Sequence, residues 1–279
     1  MIPSSFEYKK ASTVQEAIGL LGDNDKILSG GHSLIPAMKL RLNMPDNLID
    51  ISKIEELKRI KENESTISIG AGATHRSIAT NQAIQNSIPM ISEAAGMIGD
   101  IQVRNRGTIG GSIAHADPSA DWPAVLLAAD AKIIIQGSSG SREVDVDHFF
   151  LGFYETALQD NEIITSVVIP KSAANANSCY EKFVQPASRF AVVGCAAAVE
   201  KQGGSVVYAR VALTGVSDSP YRAKEVENAL MGGDLSAEHL DTASAGATSN
   251  VSVMSDHFAS EKYRAHLANV YVKKALRRL

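Results

Sequence analysis

Apolar positions along the chain change period several times, and each change predicts an element. Val14, Ala17, Ile18 and Leu21 share one helical face; Thr13 and Glu16 form a capping box ahead of it and Gly22 ends it. Lys26 to Ser29 has the character of a buried strand, and Asn47 to Ile51 of a second. Between them Gly30-Gly31-His32-Ser33-Leu34-Ile35-Pro36 is a strand-to-turn junction that leads into an apolar stretch, so this segment predicts a small α/β unit. Leu57 to Lys61 and Thr66 to Ile69 are β-like runs joined by the polar turn Glu62-Asn63-Glu64-Ser65. Helical spacing returns at Arg76 to Ile84 and at Pro89 to Ile98, the second with proline in its first turn. A glycine-rich loop then covers Arg106 to Ser112, and Asp117-Pro118 opens a helix through Ala128 with Asp117 as its N-cap. Lys132 to Gln136 and Arg142 to Val146 predict a hairpin around Ser138-Ser139-Gly140, and Glu162 to Ile169 a further strand.

Lys171 to Ser178 is polar and alanine-rich without periodicity, which marks a domain boundary. Beyond it, Val192 to Val199 and Val206 to Thr214 are long β-like runs around Lys201-Gln202-Gly203-Gly204, followed by helices at Pro220 to Leu230, Ser236 to Ser249 and Ser260 to Arg278. Strands followed by helices predict an α+β layer in this half. At 279 residues the chain can bury two modest cores, in keeping with two domains.

A formal net charge of -4, with no run of like charges, argues against a nucleic-acid or membrane-surface partner. The basic end Lys273, Lys274, Arg277 and Arg278 suits the last turn of a terminal helix. No stretch approaches the roughly 20 apolar residues of a membrane span, and Met1-Ile2-Pro3-Ser4 leads into no signal-peptide core, so a cytoplasmic protein is expected. Cys179 and Cys195 are the only cysteines, too few for a disulfide framework or a four-thiolate cluster, so any iron–sulfur centre belongs on a partner.

Two segments carry candidate chemistry: Ser29-Gly30-Gly31-His32-Ser33 and Thr108-Ile109-Gly110-Gly111-Ser112. Adjacent glycines admit positive φ and let consecutive N–H groups approach an anion without a Cβ in the way. One such pair is commonly just a turn; two, each beside a β-like run and a hydroxyl, predict paired cradles for a diphosphate. Neither segment matches G-x-G-x-x-G or G-x-x-x-x-G-K-[ST], so a Rossmann or nucleotide-triphosphatase site has no motif behind it. Ser33 and Ser112 lack the setting of a hydrolase nucleophile. His115 and Asp117 form an H-x-D pair with no further His or Cys cluster beside it, and no metal site is assigned.

These glycine segments resemble a known family when read with Leu34-Ile35-Pro36, Asp117-Pro118-Ser119-Ala120-Asp121, Tyr180-Glu181-Lys182-Phe183, Ala187-Ser188-Arg189-Phe190-Ala191, Ser255-Asp256-His257 and Tyr263-Arg264. The family is the FAD subunit of the carbon monoxide dehydrogenase and xanthine dehydrogenase group of molybdenum hydroxylases, and the similarity spans nearly the whole chain. It implies an α+β protein: a vanillyl-alcohol-oxidase-type FAD-binding domain over residues 1–172, made of α/β subdomains at about 1–54 and 55–172, and a smaller α+β domain over 178–279. It implies that Gly30, Gly31, His32 and Ser33 hold the pyrophosphate from one side, with Ile27, Leu28 and Ser29 leading in and Leu34 following, while Thr108, Gly110, Gly111 and Ser112 close it from the other. His115 and Asp121 fall at the cofactor's polar middle, Ile98 and Ile164 beside the isoalloxazine, and Lys182 at a flavin-side lysine. Relatives that carry Asn at Ser112 have a different donor there, although a serine hydroxyl also donates to phosphate.

Other readings of the same residues stand beside these. Asp121 suits the first turn of a helix, Ile98 and Ile164 suit an ordinary core, and Lys182, Arg104 and Arg106 suit a solvated surface. For function, the resemblance implies an oxidoreductase flavoprotein with no substrate-catalytic residue of its own. Its FAD would relay electrons from [2Fe-2S] clusters on a small partner to an external acceptor, while a large partner with the molybdenum cofactor oxidises the substrate, in a dimer of heterotrimers. A stand-alone flavin oxidase with FAD attached at His32, and a module binding some other nucleotide, are the alternatives.

Overall fold

The computed structural model describes residues 2–171 and 176–279. Its first unit runs β1 (Glu7–Lys10), α1 (Val14–Leu20), β2 (Lys26–Leu28), α2 (Leu34–Lys39) and β3 (Asn47–Asp50). The strands form a parallel sheet in the order β1-β3-β2, with Glu7 opposite Asn47 and Lys26 opposite Leu48. Parallel neighbours need crossovers, which α1 and α2 supply. The Thr13 hydroxyl accepts the Glu16 N–H at 3.1 Å, and the Glu16 carboxylate accepts the Ser12 N–H at 2.7 Å, so the predicted capping residues start α1. Val14, Ala17, Ile18, Ile49 and Ile51 make a small core.

The second unit is built on β4 (Ile60–Glu62), β5 (Thr66–Gly70), β6 (Lys132–Gly137), β7 (Gly140–Asp145) and β10 (Ile163–Pro170), with the short pair β8 (Phe150–Gly152) and β9 (Glu155–Thr156) before β10. Its order is β4-β5-β10-β6-β7, antiparallel throughout. Six helices are inserted between β5 and β6: α3 (His75–Ala79), α4 (Gln82–Ser87), α5 (Pro89–Met97), α6 (Ile101–Arg106), α7 (Ile109–His115) and α8 (Trp122–Ala128). Ile67, Ile69, Ile133, Ile135, Val167 and Ile169, at alternate positions on their strands, form one core with Met90, Ile91, Trp122 and Leu126 from the helices.

The last unit is the antiparallel sheet β11 (Asn177–Val184), β12 (Ala191–Gln202), β13 (Ser205–Thr214) and β14 (Tyr221–Arg222), with α9 (Lys224–Leu230), α10 (Ala237–Ser244) and α11 (Glu261–Leu276). One face, with Cys179, Val193, Cys195, Val211 and Leu213, packs on these helices. The other presents Tyr180, Ala196, Ala198 and Ala212 to the core of the second unit. The run of small residues on β12 lets α8 lie close against the sheet.

Several elements depart from the sequence pattern for identifiable reasons. β1 is polar and largely exposed, so it carries no alternation; pairing with β3 holds it. Leu57 falls in a 3-10 turn, Glu55–Lys58, ahead of β4. Asn81 splits the expected helix Arg76 to Ile84 because its side chain accepts the Ile84 N–H at 3.1 Å and caps a new helix. Asp117 is not an N-cap: its Oδ1 accepts the Ser119 N–H at 2.8 Å in a turn, and the helix begins at Trp122. Tyr221 and Arg222 pair with β13 before α9 begins, and α10 ends at Ser244 rather than Ser249. β11 was hidden by the aperiodic segment before it, of which residues 172–175, within the expected domain boundary, lie outside the described residues.

Candidate functional site

The two glycine segments meet. A Cβ added to Gly30 would stand 2.4 Å from the Arg106 carbonyl oxygen and 2.8 Å from Gly107 Cα, so the first turn lies directly on the second. Across that seam the Ser29 and Thr108 hydroxyl oxygens are 3.0 Å apart although 79 residues separate them in the chain. Gly31 has φ +77°, a left-handed conformation that turns the chain from β2 into α2. The N–H groups of Gly30, Gly31, His32 and Ser33 find no acceptor among the described residues. A run of unpaired donors on a positive-φ turn is an anion-binding concavity. His32 is exposed beside it; Ile27, Leu28 and Leu34 flank it half-buried.

The second segment differs from expectation in a way that matters for chemistry. It is not an open loop: Thr108 caps α7, its hydroxyl accepting the Gly111 N–H at 3.2 Å. The Ile109 N–H donates to Ala73 O at 3.1 Å and the Gly110 N–H to Ala71 O at 2.8 Å. Gly110 is required because a Cβ there would stand 2.5 Å from Ala71 Cβ. The Ile109, Gly110, Gly111 and Ser112 N–H groups are therefore committed within the protein, and what this side offers is the Thr108 N–H with the hydroxyls of Thr108 and Ser112. Thr108, Ser112 and His115, at i, i+4 and i+7, share the face of α7 that also leaves Gly111 open. The helix packs on β10, the strand that carries Ile164, which is itself buried at an irregularity in the strand.

Asp121 and Lys182 come together in a buried cluster. The Lys182 side chain is 0% exposed, and its ammonium donates to Asp121 at 3.0 Å, to Met97 O at 3.0 Å and to Arg189 O at 2.8 Å. All three of its protons are in use, which rules out the solvated-lysine reading. The Tyr180 hydroxyl donates to Asp121 at 2.5 Å. Burial pushes the Asp121 carboxyl up, and the Lys182 ammonium opposes that. Ile98, half-buried, follows Met97 and accepts through its carbonyl from Arg104 at 2.9 Å, so Arg104 is a strut and not a free cation. His115 packs against Tyr154 with the rings tilted by 56° and their centroids 5.0 Å apart. The Tyr154 hydroxyl donates to Asp117 at 2.9 Å, and burial together with that carboxylate pushes the phenol up to about 12.

Sequence reasoning missed His75, Trp122 and Gly107. The His75 N–H donates to Gly107 O at 3.0 Å, and Thr74 and Thr108 form a bridge beside it. Trp122 Nε1 donates to His75 Nδ1 at 3.1 Å in the core. Burial lowers the imidazole to about 4, with His32 and Arg104 adding to the effect. A lone Thr-His before a short helix gives no signal in sequence; only the fold sets it against the glycine seam.

A cavity of about 230 Å³ opens between Asp117, Tyr154, Phe190, Phe258 and the buried Arg264. A larger one, about 340 Å³, lies among Asp130, Lys132, Asp145 and Asp147, away from the glycine seam. Among the described residues no group of three His, Cys, Asp or Glu side chains could hold a metal ion, and no helix is long and apolar enough to cross a membrane.

Residues 4–172 match the family described as the FAD binding domain in molybdopterin dehydrogenase, and residues 178–279 match the CO dehydrogenase flavoprotein C-terminal domain. The chain belongs to this flavoprotein family. Within it, the carbon monoxide dehydrogenase medium chain of Hydrogenophaga pseudoflava is 39% identical, over 99% of this chain and 97% of that one. The glyceraldehyde dehydrogenase medium chain of Sulfolobus acidocaldarius is 37% identical, over 99% of each. A solved structure of the Hydrogenophaga pseudoflava carbon monoxide dehydrogenase, in a form lacking the Mo-pyranopterin moiety of the molybdenum cofactor, superimposes with a TM-score of 0.95. It is 41% identical over 99% of this chain and 98% of that one. As a member of the family, the chain is a medium, FAD-binding subunit of molybdenum hydroxylase dehydrogenases, and its α+β fold is the family's.

Proposed function

We propose that this chain binds FAD without a covalent bond and relays electrons from iron–sulfur clusters on a small partner subunit to an external acceptor, serving a large molybdenum-cofactor subunit that oxidises the substrate. The partners and their cofactors rest on the family's medium-chain relatives; the assembly proposed is a dimer of such heterotrimers in the cytoplasm. The observation that carries the reading is the run of unpaired N–H groups at Gly30 to Ser33, lying on Gly107 and Thr108. Such a run suits a diphosphate. In this reading Ile27, Leu28, Ser29, Gly30, Gly31, His32, Ser33 and Leu34 form one wall of the site, and Thr108, Gly110, Gly111 and Ser112 the other. His115 and Asp121 serve the polar middle, Ile98 and Ile164 flank the ring, and Lys182 sets the charge nearby by holding Asp121. Bound flavin supplies electron exchange in single or paired steps, and the protein's share is positioning and electrostatic tuning. Residues 1–172, with subdomains at about 1–54 and 55–172, form the FAD-binding part, and 178–279 the covering domain.

The full chain purified without flavin and titrated with FAD tests this. The wild type takes up FAD and releases it into acid, whereas Gly30→Ala, which drives a methyl group into the Arg106 carbonyl, loses affinity at least about tenfold while keeping its circular dichroism. Failure of the wild type to bind FAD overturns the reading. Yellow colour that stays with the acid-denatured polypeptide favours attachment at His32 instead.

A further inference from the structure

His75 is buried, 4% exposed, and the functional reading above leaves it without a role. Its protonation state follows from its neighbour. Indole Nε1 is only ever a donor, so the imidazole Nδ1 that Trp122 contacts at 3.1 Å must be the acceptor, and the single proton of the neutral ring sits on Nε2. Burial keeps the ring neutral. Nε2 lies against the second glycine segment: a Cβ on Gly107 would stand 2.7 Å from it. On another side Gly107 Cα takes the contact with Gly30. The layers therefore run from the first turn through Gly107 to the imidazole and then to the indole in the core. Among the described residues Nε2 has no hydrogen-bond partner, yet it is not one of the atoms that are both unpartnered and sealed from water, so this N–H keeps a small opening through which an acceptor can reach it. An N–H so placed is satisfied by solvent or by a ligand.

We propose that His75 is a further FAD-binding residue, a neutral Nε2–H donor to an anionic oxygen of the diphosphate, with its tautomer fixed by Trp122. This rests on the FAD reading. It adds a donor beside the second glycine segment, where the Ile109, Gly110 and Gly111 N–H groups are committed to Ala73, Ala71 and Thr108 and only the Thr108 N–H is left without an acceptor. A neutral donor also suits a site that already has His32 and Arg104 nearby. It binds the anion without adding a buried charge.

Two substitutions separate this role from packing. In His75→Asn the amide takes the place of Nδ1 and still meets Trp122, but nothing replaces Nε2–H; in His75→Gln the amide nitrogen takes the place of Nε2. FAD titration of the full chain is expected to show Asn weaker by about tenfold or more, the loss of a hydrogen bond to a charged group, and Gln within a few-fold of wild type. Equal affinity for wild type and Asn overturns the proposal, as does an Asn that outperforms Gln. A measurement on the unmutated chain stands if both variants misfold. With ¹⁵N-labelled histidine, the free chain should show His75 as the single Nε2–H tautomer, and FAD should move the Nε2 proton resonance downfield. An Nδ1–H tautomer, or an Nε2 resonance that FAD leaves unmoved, overturns it. A wild-type chain that binds no FAD fails the functional reading and this proposal with it, whereas normal FAD binding with an indifferent His75 fails this proposal alone.

Discussion

Lys182 shows what burial does to a charge. Its ammonium is removed from water and held by one carboxylate and two carbonyls, an arrangement that is strongly favourable only when complete. Lys182→Met keeps the stem but leaves Asp121 buried with only the Tyr180 hydroxyl. The expected loss of stability, read by urea unfolding at neutral pH, is about 3–5 kcal/mol. The deficit should shrink as pH falls. Burial alone raises the Asp121 carboxyl above its unfolded value, so the folded variant takes up a proton before the unfolded chain does and is thereby stabilised. A loss below 1 kcal/mol would mean that the cluster is not closed. Residues of this kind are poorly legible in sequence: Lys182 and Asp121 were identifiable through resemblance, but by composition each suits a surface or a helix start. Only the juxtaposition of β11 and α8 makes them a pair.

Among the elements, α7 is the least expected. A segment with adjacent glycines is a poor helix candidate by propensity, since each glycine costs about 1 kcal/mol relative to alanine. The helix forms because Thr108 caps it and because Gly110 lets its first turn rest on Ala71. The same logic inverts the usual effect of a helix-favouring substitution. Gly110→Ala gains propensity but puts its Cβ 2.8 Å from the Ala71 carbonyl oxygen. The net outcome expected is destabilisation by about 1–3 kcal/mol with weakened FAD binding; thermal melts with and without FAD check it, and a raised midpoint would contradict it. Elements with clean periodicity, such as α1, β5, β6 and β13, were legible because their burial pattern is local. The helix starts at Asn81, Asp100 and Thr108 were not, because each depends on one side chain choosing a cap over a turn.

For the whole molecule, the two parts suggested by sequence share more than a connector. The Thr214 hydroxyl shares its one proton between the carbonyls of Pro118 and Ala120, at 2.9 and 2.7 Å, and the Ala191 N–H donates to Ser119 O at 3.1 Å, so the later sheet fixes the turn that aims Asp121. Arg278, near the last residue, reaches Glu93 on α5. Tyr180, Ala196, Ala198 and Ala212 complete a core that begins at Ile67. A fragment ending at Lys171 is expected to bind a hydrophobic dye strongly and to aggregate, in contrast to the full chain; a monomeric fragment with a cooperative melt would refute this. A seam of this kind also limits grafting. Halves that mould one another are not interchangeable beads on a string, so a chimera that takes its later half from another sequence is expected to fold only when the facing side chains travel with it.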